Sequence, residues 1–192
     1  MEKKKDNKKF SVKDYSINVL NYMAHGLFAS LIIGLIIKQI GDYSGISLVS
    51  ELGRFAQLLM GPAIGAAVAY GVKAPSLAVF SSLVTGAIGA QTLILTEAGT
   101  YSIQIGEPVG ALIAGLICAE IGKLIHGKTK LNIILVPAAT IIAGGLTGVF
   151  ISPVMSSVMT GLGQMINYAT ELHPVPMGII VSTLMGMILT AP

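Results

Sequence analysis

The sequence is poor in charge, and this scarcity is its most informative property. Charged residues make up 11% of the 192 residues, against roughly 25% in a typical soluble domain. Residues 131–170 contain no Asp, Glu, Lys, Arg or His, and no Asp, Glu, Lys or Arg follows His173. A helix in water needs a polar face, so these runs exclude a water-soluble domain. We therefore predict an all-α integral membrane protein.

Tryptophan is absent and cysteine occurs once, at Cys118. A single cysteine excludes an intrachain disulfide and carries no information about the redox compartment. The absence of Trp argues against a simple anchor held by aromatic belts, whereas the 23 glycines favour a bundle of several helices. The segments 61–65 and 144–148 have the small-xxx-small spacing that lets helix backbones approach closely in lipid.

Six apolar stretches reach or approach the roughly 20 residues needed to cross a hydrocarbon core. We predict a transmembrane domain over residues 15–192 with about six transmembrane helices, at residues 15–37, 53–72, 75–96, 108–124, 131–151 and 174–192. Because no basic residue flanks the last of these stretches, we expect the chain to be a fragment, or the first half, of a longer membrane protein.

Residues 153–172 differ from the six spans. Ser152-Pro153 predicts a helix break, and apolar residues at helical spacing alternate afterwards with Ser, Thr, Gln and Asn. This pattern indicates either an amphipathic helix in the membrane interface or a re-entrant hairpin.

Lysines give the orientation. Residues 1–14 form a basic tail with six lysines. If that tail is cytoplasmic, alternation of the spans places ten basic residues inside and two, Lys38 and Arg54, outside. The excess of positive charge on the cytoplasmic side of membrane proteins therefore predicts a multi-pass membrane protein with its N-terminus in the cytoplasm. The high pI reflects these membrane flanks, and we predict no nucleic-acid partner.

The residues that can carry chemistry are few. Hydrolase triads, phosphate-binding loops and paired metal motifs are absent from the sequence, which predicts no catalytic residue, no metal site and no cofactor. The strongest candidate is Glu107, between Gly106 and Pro108 at the mouth of a span. It either binds a solute at an irregular stretch of backbone or caps the helix that follows.

Four further polar residues are candidates for solute binding. Glu171 and His173 form either a polar patch at a cavity entrance or a helix stop followed by a helix start. Gln91 lies in the third predicted span, where its amide needs a partner, so it either bonds a neighbouring helix or lines a cavity. His25, inside the first span, either bonds a carbonyl near the interface or contacts solute or protons.

Two motifs and the glycine-rich spans carry a resemblance to a known family. Gly-Glu-Pro-Val-Gly-Ala from Gly106 and His-Pro-Val-Pro-Met-Gly from His173 resemble enzyme IIC, the membrane subunit of the bacterial phosphoenolpyruvate-dependent sugar phosphotransferase system. The nearest likeness is to the branch labelled toxin-gene regulators. Glucose-type members have a Gly-Ile-Thr-Glu-Pro motif whose Glu contacts sugar, and Gly106-Glu107-Pro108 matches its end in part.

The resemblance implies a homodimeric permease that binds a sugar outside and presents it inside for phosphorylation. The phosphoryl group would come from a phosphocysteine on a separate IIB protein, which is charged by a phosphohistidine on IIA. Cys118 lies within a span and is not a candidate phosphocysteine, so this chain would carry no phosphoryl group itself. Two alternatives remain open from the residues: a membrane regulator that senses a solute without transport, and an ion- or proton-coupled carrier.

Overall fold

The computed structural model describes residues 12–95, 99–128, 131–172, 178–179 and 182–183. Most of the predicted basic tail and almost all of the predicted span 174–192 lie outside these residues. The described chain is largely helical, with one short hairpin. The helices are α1 (Val12–Leu27), a π-helical turn (Phe28–Ile32), α2 (Ile33–Ser44), α3 (Ser47–Leu58), α4 (Met60–Gly71), α5 (Ser76–Gly89), α6 (Pro108–Ile125) and α7 (Asn132–Leu172).

Three helices of the described chain are long and apolar enough to cross a membrane: Val12–Ser44, Pro108–Ile125 and Asn132–Gln164. The pair Ser47–Leu58 and Met60–Gly71 gives a fourth if its two bent halves form one span, and Ser76–Gly89 is a shorter apolar helix. The protein is therefore an all-α membrane protein. The count of six spans stays a prediction.

The first helix is longer than the predicted span 15–37. It runs from Val12 to Ser44 through the π-helical turn and ends at Gly45, whose φ of 71° is a left-handed conformation that glycine adopts without steric cost. Helices α2 and α3 then pack against each other as a hairpin. Their backbones approach closely at Gly34, Gly41 and Gly53.

The second predicted span, 53–72, is broken. Helices α3 and α4 meet at Leu59 with a bend of 52°. Proline has no N–H and its ring crowds the carbonyl four residues earlier. Pro62 lies three residues after the bend, so it removes the hydrogen bond that would have continued α3 through the carbonyl of Leu58. The bend thus has a local cause in the sequence.

The third span, predicted at 75–96, is helical only to Gly89. The amide of Gln91 donates to the carbonyl of Ile88, and the amide of Thr92 donates to that of Ala87. These two bonds form a Schellman motif, which closes a helix when the residue after its cap is left-handed. Gln91 has that conformation, with φ of 56°. Apolar residues 93–95, predicted as helix, instead pair with a second strand.

The hairpin after α5 was not predicted. Strand β1 (Leu93–Leu95) pairs antiparallel with β2 (Tyr101–Ile103), with Leu93 opposite Ile103. The amide of Gln104 continues the ladder by donating to the carbonyl of Thr92. The sequence predicted β1 as the end of a helix, because an apolar run of three residues does not distinguish a strand from the end of a helix.

The predicted break at Ser152-Pro153 does not occur. Helix α7 continues through Pro153 over 41 residues, so the amphipathic segment 153–172 is the second half of one continuous helix and not a re-entrant hairpin. Pro153 leaves the carbonyl of Val149, four residues earlier, without its helical donor, which helices of membrane proteins tolerate. Beside it, the Ser152 hydroxyl hydrogen-bonds to the carbonyl oxygens of Gly148 and Gly89, which joins α7 to the end of α5 at this point.

The core lies between α1, α4, α5 and α6, with α7 packed against α5 and α6. Its fully buried side chains include Met60, Ile64 and Val68 of α4. Glycine permits this packing: a Cβ atom on Gly65 would collide with the Ser82 carbonyl oxygen on α5 and would lie 3.0 Å from Cα of Gly86. Dispersion contact between backbones replaces the hydrophobic effect, which is weak between helices in lipid.

Candidate functional site

A cleft of about 400 Å³ lies where the end of α5, the start of α6 and the middle of α7 meet. Its volume falls within the range of small-molecule sites. Five of its lining residues have polar or charged side chains: Gln91, Gln104, Glu107, Ser156 and Thr160. The rest of the lining is formed by Ala90, Ile105, Gly106, Pro108 and Met159. Two of the predicted site residues, Gln91 and Glu107, thus lie in one cleft.

Glu107 is the N-cap of α6. Its Oε1 accepts a hydrogen bond from the amide of Val109 at 3.0 Å, and its Oε2 accepts one from the amide of Gly110 at 2.6 Å. Pro108 follows at the first helical position, where a missing N–H has no consequence. The Glu107 amide also donates to the carbonyl of Ala90 at 2.8 Å, which ties the start of α6 to the end of α5.

The capping role leaves Glu107 with unused acceptor capacity. An ionised carboxylate offers about four lone-pair sites, and the two amides occupy two of them. The side chain is half-buried and borders the cleft. The two alternatives from the sequence, helix cap and solute contact, are therefore compatible: the cap fixes the carboxylate in place, and the remaining lone pairs can accept further donors.

Gln91 holds an unusual backbone conformation for a residue with a side chain. Left-handed φ values are uncommon outside Gly, Asn and Asp. The conformation costs roughly 1–2 kcal/mol per residue. Its carbonyl accepts a hydrogen bond from the Nε2 of Gln104 at 3.4 Å. The two glutamines of the cleft therefore lie next to each other at the base of the hairpin. A glycine would close the helix without strain, and a glutamine keeps a polar side chain on the cleft.

Helix α7 supplies the opposite wall. Ser156 and Thr160 are one turn apart, with Met159 between them on the same surface. Ser152, one turn earlier, is fully buried and hydrogen-bonded to Gly89, so it holds this wall against the end of α5. Sequence reasoning missed Ser156 and Thr160 as site residues. The signal was present in the polar residues at helical spacing, which were assigned to an interfacial surface.

A family model for the phosphotransferase system EIIC component matches residues 17–192 of the sequence. The chain belongs to this EIIC family. It is thus a membrane permease subunit of a phosphotransferase system, and its family implies partnership with IIA and IIB proteins. No curated protein and no solved structure matches the chain.

Of the other predicted site residues of this EIIC chain, the structure places His25 outside the cleft lining. His25 is exposed on α1, where its ring makes an edge contact with Tyr22 at a centroid distance of 5.7 Å. The backbone of Glu171 belongs to α7, but its side chain and the whole of His173 lie outside the described residues. The roles of these three residues stay predictions.

A second polar cluster of the EIIC chain lies near the other end of α6. The Tyr15 hydroxyl donates to Oε1 of Glu120, and Nζ of Lys123 contacts the same oxygen at 2.6 Å. Glu120 and Lys123, three residues apart on α6, thus form an ion pair. Lys123 also lies 5.8 Å from the centre of the Tyr15 ring. These contacts give the Glu120 carboxylate polar partners on the otherwise apolar helix α6.

In the described part of the chain, no group of three or more His, Cys, Asp or Glu side chains is close enough to hold a metal ion. Cys118 is buried between α5 and α6, where its thiol contacts the carbonyl of Ala78 at 3.7 Å. A buried thiol in an apolar environment is a packing element and a poor nucleophile.

Proposed function

We propose that this EIIC chain binds a sugar from outside the cell in the cleft and presents it inside for phosphorylation by a separate IIB protein. One observation carries the proposal. A carboxylate, two side-chain amides and two hydroxyls, from three separate parts of the chain, line one cleft of about 400 Å³.

The chemistry of the lining suits a sugar. Hydroxyl groups are both donors and acceptors, and the Glu107 carboxylate, the amides of Gln91 and Gln104 and the hydroxyls of α7 offer matching partners. Met159 and Ile105 add apolar surface for the C–H faces of a sugar ring. Binding sites of this kind combine apolar walls with a few polar groups that fix orientation.

Orientation rests on the lysines. With the N-terminus in the cytoplasm, Tyr15, Glu120 and Lys123 lie at the inner side of the membrane. The start of α6, and with it Glu107, then faces outside. About 20 Å of helix separates Glu107 from Glu120 at 1.5 Å per residue, which fits a site at one side of the membrane and a polar cluster near the other. This topology includes the six predicted spans.

The remaining residues extend the proposal along α7. Glu171 and His173 come 11 and 13 positions after Thr160 in the sequence, and we assign them to a polar patch at the entrance of the cleft. His25 is assigned to a contact outside the cleft. Two copies of the chain form the working permease, with IIA and IIB as phosphoryl donors.

Uptake of radiolabelled sugars tests this function. Cells expressing the gene with its IIA and IIB partners should accumulate at least one sugar as its phosphate, and omission of IIB should abolish accumulation. Sugar binding without uptake would favour a membrane sensor instead. Uptake that follows a proton gradient and ignores phosphoenolpyruvate would favour an ion-coupled carrier. Failure to bind or transport any sugar, with both partners active, would refute the proposal.

A further inference from the structure

Helices α2 and α3 form an arm, residues 33–58, that stands apart from the helical core. Helix α2 packs against α3 and the π-helical turn, and α3 also meets the start of α4. Among the described residues, neither helix of the arm packs extensively against α5, α6 or α7. The arm is therefore held to the core at its base, where the π-helical turn and the start of α4 lie.

The two helices of the arm are tightly joined to each other. Their backbones are in direct contact at Gly41 and Gly53, where a Cβ atom would collide with the backbone of the facing helix. The Asp42 carboxylate links them further, because it accepts hydrogen bonds from Nζ of Lys38 on α2 and from Oγ of Ser50 on α3. Close-packed elements of this kind deform little, so the arm moves as one body.

Both connections between the arm and the core are interrupted at the same level. On one side the first helix contains the π-helical turn Phe28–Ile32, and such turns are rare and frequent at functional sites. On the other side α3 and α4 meet at Leu59 with a bend of 52°. The π-helical turn contacts both α3 and α4, so the two interruptions lie side by side. Irregular helical hydrogen bonding is where helices bend, and this pair of interruptions forms a hinge.

A buried amide at this hinge has no partner. Gln57, two residues before the bend, is 6% exposed, and among the described residues its Nε2 has no hydrogen-bond partner. Its Cγ would lie 3.0 Å from a Cβ atom on Gly34, which follows the π-helical turn, so the side chain lies between the two interruptions. A buried donor without an acceptor destabilises the conformation that contains it, and such groups are rare in native proteins.

The core side of the hinge has a second group of this kind. A Cβ atom on Gly61, two residues after the bend, would lie 3.0 Å from Oγ1 of Thr92. Thr92 is 5% exposed, and no described residue forms a hydrogen bond with its Oγ1. Each side of the bend thus carries one buried polar group without a partner. Because Thr92 follows Gln91 in the turn after α5, a change in the bend acts directly on that turn.

We infer that the arm swings as a rigid body about this hinge, between the position in this structure and a second position in which Gln57 and Thr92 gain hydrogen-bond partners. The carbonyl of Leu58, which Pro62 leaves without its helical donor, is an acceptor at the hinge. Hinge motions of this type are absorbed by a few residues at the ends of elements. Helix α2 has 12 residues, or about 18 Å of length, so a change of about 20° in the bend would move the tip of the arm by about 6 Å.

Distances between spin labels, measured by double electron–electron resonance on the full chain in nanodiscs, test this inference. Tyr43→Cys places one label near the tip of the arm, and Phe150→Cys places the other on α7; both side chains are exposed. The buried Cys118 is replaced by alanine in every sample. Without any added sugar, the protein should show two populations whose label distances differ by up to about 6 Å.

Gln57→Leu is the decisive variant. Leucine removes the unpaired amide and keeps a side chain of similar size, so the position in this structure should gain at least about fivefold over the second position. Gln39→Leu is the matched control, because it makes the same chemical change at an exposed position on α2. Its ratio of populations should equal that of the protein with Gln39 and Gln57 intact.

Thr92→Val provides a second variant in case Gln57→Leu fails to fold. Valine removes the unpaired hydroxyl and keeps the shape of the side chain, so it should shift the ratio of populations in the same direction. A single population before either change, or a ratio that stays the same in both hinge variants, would overturn the inference. Because no sugar is present in this measurement, that result would leave the proposed function intact.

Discussion

The Ser152 hydroxyl on α7 donates a hydrogen bond to the carbonyl oxygen of Gly89, the last residue of α5. The two residues are 63 positions apart in the chain. This bond fixes the wall that carries Ser156 and Thr160 against the turn that carries Gln91. It also keeps α7 next to α5 where Pro153 interrupts the helical hydrogen bonding.

Ser152→Ala should lower both stability and affinity. The side chain is fully buried, so its loss leaves the Gly89 carbonyl without this donor, at a cost of about 1–3 kcal/mol. We expect a lower Tm in detergent and weaker sugar binding, measured by thermal unfolding and titration. Ser157→Ala is the control: that hydroxyl is exposed and bonds the Pro153 carbonyl within its own helix. Equal effects from both variants would contradict the anchoring role of Ser152.

Glu107→Ala and Glu107→Gln separate capping from binding. Removal of an N-cap costs about 1 kcal/mol, so Glu107→Ala should lower Tm, whereas Glu107→Gln retains part of the cap and should lower it less. Both variants should weaken sugar binding while inserting normally into the membrane. Unchanged affinity in both would assign Glu107 to the architecture of α6 alone. Membrane fractionation checks insertion, and titration checks binding.

Gln91→Gly should stabilise the protein and weaken binding. Glycine adopts the left-handed conformation freely, so the change should raise the free energy of unfolding by about 1 kcal/mol while deleting a side chain from the cleft. Lys73→Gly is the matched control, because Lys73 has the same conformation, with φ of 59°, in the turn after α4. It should raise Tm without changing sugar affinity. An equal loss of affinity in Lys73→Gly would show that the effect of Gln91→Gly does not come from the loss of the Gln91 amide.

Gly65→Leu should disrupt folding. A side chain at this position would collide with the Ser82 carbonyl on α5 and approach the backbone of Gly86, and overpacking of a tight contact costs about 1–3 kcal/mol or more. Gly161→Ala should instead be tolerated, because nothing lies within 4 Å of its added Cβ, and Ala is the better helix former by about 1 kcal/mol. Size-exclusion profiles in detergent and Tm distinguish the two. Similar monodisperse profiles for both would refute the packing role of Gly65.

The lipid environment and the helical class follow from the sequence because they depend on composition averaged over long runs. The point at which a helix ends or continues depends instead on single residues. The end of α5 depends on one left-handed residue, Gln91, for which glycine would have been the recognisable signal. Helix α7 continues through Pro153, next to Ser152, whose hydroxyl bonds a carbonyl on another helix. Neither event has a signature within its own segment.

Only part of the candidate site was predictable from the sequence. Glu107 could be selected from its sequence neighbours, and Gln91 from its polarity within an apolar span. Gln104, Ser156 and Thr160 reach the cleft only because the hairpin and α7 pack there in the folded chain. Gln91 and Thr160 are far apart in the sequence, so the sequence alone does not predict that they lie close together. The family match identifies the class of protein but does not assign these residues.

The length of α7 limits how the cleft can sit relative to the lipid. Its 41 residues extend about 60 Å at 1.5 Å per residue, twice the ~30 Å thickness of the hydrocarbon layer. Fitting the helix entirely within that layer would require a tilt of about 60°, beyond the observed range of roughly 0–40°. Starting at Asn132, α7 therefore emerges among the lipid headgroups after about 20 to 26 residues. Ser156 and Thr160, about 24 and 28 residues after Asn132, fall at or just beyond that level, where we expect a dissolved sugar to arrive without entering the acyl chains.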